Sequence, residues 1–123
     1  MELDKDENII LDDGNLGFRK KLTLTNNRLI ILKGKGLFKV SWKKEEEILI
    51  EEIEEAYAHV DSFTSLSVMK LRMKNGKTKD IRFKLSDSQM VGASLGDVGG
   101  AIPMKVKSIT DRWVNAINKL IKV

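Results

Sequence analysis

The chain has 123 residues, 41% of them hydrophobic, and a formal net charge of +4. That length suits one domain over residues 1–123, and the apolar fraction supports a real core, which argues against global disorder. The absence of cysteine excludes disulfides, thiolate metal sites and cysteine nucleophiles, and it fits a reducing cytoplasm. No apolar run approaches the roughly 18 residues of a membrane span, and the acidic start (Glu2, Asp4, Asp6, Glu7) does not read as a signal peptide.

Residues 1–7 are polar and expected to fray. Residues 8–11 form a short apolar run, and Asp12 to Asn15 is a turn cluster. Residues 16–25 alternate, with Phe18, Leu22 and Leu24 predicted inward and Lys20 interrupting that row near a rim. Asn26 and Asn27 make a turn. The continuous Leu29 to Leu32 suits a strand covered on both faces. Gly34 to Gly36 turns the chain, and residues 37–43 alternate again, with Phe38, Val40 and Trp42 inward. Lys44 to Glu47 breaks that pattern. Ile48 to Ile50 resumes it, Glu51 to Ile53 reads as a tight turn, and residues 54–60 as a strand. A helix over 45–58 is the alternative, because Glu and Ala favour helices.

Residues 66–73 and 78–85 form the clearest hairpin, with Met69, Leu71, Met73, Ile81, Phe83 and Leu85 inward. A two-residue Asn75-Gly76 turn would place core residues opposite polar ones. The parity instead predicts a type I turn over residues 73–76, with Gly76 left-handed in a bulge. Residues 86–102 contain Gly92, Gly96, Gly99 and Gly100 and read as a long loop without phosphate-cradling motifs. The chain closes with a helix that starts between Pro103 and Ser108 and runs to Lys122. Ile109, Trp113, Ile117 and Leu120 share one of its faces, and Ser108 with Asp111 resembles a capping box.

The stretch from Lys21 to Leu32, KLTLTNNRLIIL, resembles the signature of the pleckstrin-homology-like (PH-like) superfamily, closest to GRAM and bacterial or archaeal PH-type domains. Four further features follow in that family's order. They are the acidic start at Glu7 to Ile9, the junction Ile50 to Ile53, the glycine turn Lys74 to Lys77, and Trp113 in a closing helix. The resemblance implies a mainly β, PH-like barrel of about seven antiparallel strands in two orthogonal sheets, capped by one C-terminal α-helix. Residues 86–102 depart from the family's short connector.

Charge is uneven along the chain. Residues 1–61 carry ten basic and fourteen acidic side chains, and residues 62–123 twelve and four. The predicted hairpin face of Lys70, Arg72, Lys74, Arg82 and Lys84, with Lys77 and Lys79 near its tip, could bind anionic head groups. The bland reading is a solvated face that discourages edge aggregation. The resemblance points to a second set at Lys20, Lys21 and Arg28, although Arg28 could equally pair with a carboxylate. Arg19, Lys21, Lys33, Lys35, Lys39 and Lys43 make a more diffuse basic patch.

No calcium-loop spacing is present, His59 stands alone, and no nucleophile–base constellation is visible. These observations predict a non-catalytic module without cofactor or metal. It would act first through contact with a protein partner or with itself, as a homo-oligomer. Second comes peripheral attachment to an anionic membrane. Nucleic-acid binding ranks third, because no aromatics interleave the hairpin's cations.

Overall fold

The computed structural model describes residues 2–85 and 101–122; the glycine-containing stretch from Gly92 to Gly100 lies outside them. The chain is mainly β. Strands β1 (Ile9–Gly17), β2 (Lys20–Thr25), β3 (Arg28–Lys35) and β4 (Ser41–Leu49) form one antiparallel sheet in the order β1-β2-β3-β4. A single 3-10 turn, Ile50–Glu52, leads to β5 (Ile53–Val60), β6 (Ser67–Met73) and β7 (Thr78–Ile81), an antiparallel sheet of order β5-β6-β7. One C-terminal helix, α1 (Ala101–Ile121), packs on β5 and β6. Neither sheet closes on itself.

The core follows the apolar patterning. Leu22 and Leu24 stand opposite Ile31 and Leu29, and all four are buried. Ile30, Leu32 and Thr23 are buried as well, so β2 and β3 are covered on both faces over this stretch. From the other side Ile53, Ala56, Met69, Leu71, Ile81 and Phe83 join the same core. Trp113 and Ile117 of α1 are fully buried there, with Ile109 and Leu120 packed at its margin. The Phe83 and Trp113 rings lie 5.4 Å apart, centre to centre.

The β6–β7 hairpin has the predicted turn. The Gly76 N–H donates to the Met73 carbonyl at 3.0 Å, Gly76 has φ +88°, and Met69 faces Ile81. Its second strand is shorter than predicted. After Ile81 the chain leaves β6, and the Lys84 N–H donates to the Asn15 carbonyl of β1. The helical alternative over 45–58 does not form.

Several boundaries differ from the sequence reading. Asp12 to Asn15, expected as a turn, lies inside β1. Gly14 is there for clearance, because a Cβ would sit 2.8 Å from Trp113 Cζ2 and 2.9 Å from Leu22 Cβ. The reversal falls instead at Phe18 and Arg19, where Arg19 has φ +53°. Phe18 is therefore exposed rather than inward, and Lys20 begins a new strand rather than interrupting one. Gly34 and Lys35 remain in β3, so the next loop spans 36–40 and carries Phe38 and Val40 out of the core.

The Lys44 to Glu47 run does not end β4. The strand absorbs Glu45 as a bulge between the pairs Leu32–Lys44 and Ile31–Glu46. Helix α1 is already formed at Ala101, so Ser108 lies in its interior and caps nothing. Asp111 pairs with Lys107 one turn away. In the last turn of α1, the Asn118 side chain accepts the Ala56 N–H at 2.9 Å and donates to the Ala56 carbonyl at 2.8 Å. This two-bond clamp occupies the outer edge of β5.

Candidate functional site

The predicted basic face of the hairpin is largely paired with carboxylates. Lys70 bonds Asp80, its direct cross-strand neighbour, at 3.2 Å. Arg72 lies 3.4 Å from Glu55 and 3.8 Å from Glu54, Arg82 lies 2.8 Å from Asp61, and Lys79 reaches Glu46. The Phe63 N–H and Arg82 hold the Asp61 carboxyl below its usual range. Only Lys74, Lys77 and Lys84 of this set lack a carboxylate partner among the described residues. Lys74 lies beside Glu51 and Glu52, which line one cavity with it. Four of the seven hairpin cations thus have a carboxylate partner, most of them supplied by neighbouring segments.

Arg28 serves the fold. Its guanidinium forks onto Glu7, with Nε to Oε2 at 2.9 Å and an Nη to Oε1 at 3.0 Å. It also donates to Glu47 and, at 2.9 Å, to the Glu2 carbonyl. Glu7 is buried and further accepts the Thr25 hydroxyl and the Asp4 N–H. The Arg28 hydrogen bond dominates over burial and brings the Glu7 carboxyl down to about 2, and the same contact raises Arg28. Residues 4–7, part of the stretch expected to fray, are tied to the sheet by this cluster and by the Asn26 side chain, which also holds the Asn8 N–H.

A larger set of unpaired cations lies at the end of the first sheet formed by the β1–β2 turn and the β3–β4 loop. The Gly34 N–H donates to the Arg19 carbonyl at 2.8 Å, and the Arg19 guanidinium donates to the Gly36 carbonyl, so the two loops make one tip. Its apolar residues face water: Phe18 and Leu37 are each 89% exposed and Phe38 101%. Val40 and Trp42, part-exposed, lie over Gly34, where a Cβ would come within 2.8 Å of Val40 Cγ1 and 3.4 Å of Trp42 Cη2. Arg19 sits over the Phe18 ring at 5.2 Å and the Lys21 ammonium over Trp42 at 4.4 Å.

Between Asp13 and Glu45 the sequence carries nine basic residues and no acidic one. Lys44 and Arg28 pair with Glu47, and Lys20 approaches Glu45 at 3.9 Å. Arg19, Lys21, Lys33, Lys35, Lys39 and Lys43 have no carboxylate partner among the described residues. Lys20, Lys33 and Lys43 stand directly opposite one another across three strands. Like charges so placed repel, and the sheet keeps them together without a full set of counter-ions. These basic residues were legible in the sequence. The exposure of Phe18, Leu37 and Phe38 was not, because it depends on where the two reversals fall.

Among the described residues no three metal-ligating side chains gather, and His59 is exposed. Among the described residues no helix is long and apolar enough to cross a membrane. Compared with protein-family models, with curated proteins and with solved structures, the chain gives no significant match.

Proposed function

We propose that the protein is a non-catalytic binding module of PH-like architecture that attaches peripherally to anionic membrane surfaces, tip first. One observation carries this reading: three fully exposed apolar side chains on two joined loops, ringed by unpaired cations. Each cation near an anionic leaflet contributes about 1 kcal/mol. Each Phe or Leu fully buried from water contributes about 1.5–3 kcal/mol. Neither term alone makes a stable anchor, and stable attachment takes two signals of this kind. In this reading Phe18, Leu37 and Phe38 enter the acyl boundary. Arg19, Lys35 and Lys39 meet the head groups, and Trp42 lies at interface depth, where indoles favour a wet and a dry side.

The test is co-sedimentation of the wild-type chain with vesicles of phosphatidylserine and phosphatidylcholine, against phosphatidylcholine alone, at low and near-physiological salt. Binding should require the anionic lipid and weaken, without vanishing, as salt screens the cations. Equal binding to neutral vesicles, or none to anionic ones, refutes the reading.

A further inference from the structure

Away from the tip, β1 and α1 form the two walls of an apolar groove. Ile10 and Leu11 make one wall, and Arg112, Ala116, Lys119 and Leu120 the other. These helical positions recur at four, three and one residues, which places them on a single stripe. The groove has a volume of about 510 Å³. Leu11, Ala116 and Leu120 are packed against the core beneath it, and Ile10 is 42% exposed.

Two properties of the walls define an occupant. The first is hydrogen-bonding capacity. Among the described residues β1 is an edge strand paired with β2, and its outer side is used once, where the Asn15 carbonyl accepts the Lys84 N–H. From Ile9 to Asp13 that side has no backbone partner among the described residues. The second is charge. The charged side chains that line the groove are Arg112 and Lys119. Arg112 is paired with Asp13 and Lys107 with Asp111, whereas Lys119 has no carboxylate partner among the described residues.

We infer that this groove binds an extended, acidic-flanked apolar segment of a partner protein. The segment adds to the free edge of β1, seats an aliphatic side chain against Leu11, Ala116 and Leu120, and turns a carboxylate toward Lys119. Strand addition supplies the main-chain affinity and the groove the side-chain selectivity. Ile10 and Gly17 lie seven positions apart along β1, roughly 20 Å at strand rise, so the groove and the tip can be occupied together. The inference stands whether or not the tip meets a membrane.

The experiment uses the full chain, isotope-labelled for amide NMR, and two synthetic octapeptides with the same three central aliphatic residues. One is flanked by glutamates and the other by lysines. The glutamate peptide should shift the amides of residues 9–13 and 112–120. The lysine peptide should bind about fivefold or more weakly, the scale of one rim ion pair. Lys119→Glu should reverse that preference. Ala116→Met, which fills the groove, should abolish the shifts while leaving the rest of the spectrum in place. The inference is overturned by shifts confined to residues 19–21 and 33–43, which would mean capture by the basic tip. It is also overturned by no shift at all, or by groove shifts that grow with protein concentration alone, which would mean that a second copy fills the groove.

Discussion

Acid should loosen the N-terminal segment before it reaches the rest of the fold, and Glu7 sets the size of the effect. Its carboxyl titrates at about 2 in the folded protein against 4.5 for an unperturbed glutamate, chiefly because Arg28 forks onto it. A folded value below the unfolded one means stability that is complete above about pH 5 and is lost as pH falls toward 2. The gap corresponds to roughly 3 kcal/mol, of which less than half remains near pH 3. No large discount for solvent applies, because the Glu7 side chain is buried. The assay is urea unfolding of wild type and Glu7→Gln between pH 3 and 8. The difference between the two proteins should be flat from pH 5 to 8 and shrink by about 2 kcal/mol by pH 3. A difference that stays constant over the whole range would refute the argument and mean that the pair is solvated in solution.

Three further outcomes follow from single contacts. Gly14→Ala drives a methyl group into Trp113 and Leu22, whose own Cβ cannot swing away, and should cost about 1–3 kcal/mol in denaturant unfolding; a neutral result would mean that β1 and α1 are not in contact. Asn118→Ala leaves both backbone groups of Ala56 without their partner and should cost about 1–3 kcal/mol; amide exchange at Ala56 should speed up, and unchanged exchange would contradict the clamp. Lys33→Glu places a carboxylate between Lys20 and Lys43 and should stabilise the fold by up to about 1 kcal/mol while weakening binding to anionic vesicles. Loss of stability would show that the lysine row is not repulsive.

The parts of this molecule that depend on local pattern were legible in the sequence. The odd-numbered core residues of the hairpin dictated its register and left-handed Gly76, and the apolar run Leu29 to Leu32 announced a strand covered on both faces. The stripe of Ile109, Trp113, Ile117 and Leu120 gave the buried face of the helix. What escaped depends on contacts distant in the chain. Gly14 reads as a turn residue until a tryptophan 99 positions later needs its space. Arg28 reads as a free cation until Glu7 folds onto it. Alternation through Phe18 and Phe38 resembles a buried strand face, and nothing local tells an apolar residue that packs from one left in water on a loop. Asp80 is the exception. The predicted register already placed it opposite Lys70, so that one pair could have been foreseen.

The central claim is that the tip, and not the hairpin face, meets the membrane. Its most direct test compares three proteins on anionic vesicles at near-physiological salt. They are the wild type, a Phe18→Ser, Leu37→Ser, Phe38→Ser variant, and a Lys70→Glu, Arg72→Glu, Lys84→Glu variant. The serine substitutions fall on exposed side chains and should leave unfolding unchanged. The tip variant should lose at least about tenfold in partitioning, since even half-burial of three such side chains exceeds 1.4 kcal/mol. The hairpin variant should stay within about threefold of wild type, because two of its three cations are already paired. Full binding by the tip variant, with loss in the hairpin variant, would contradict the account and return the site to the second sheet.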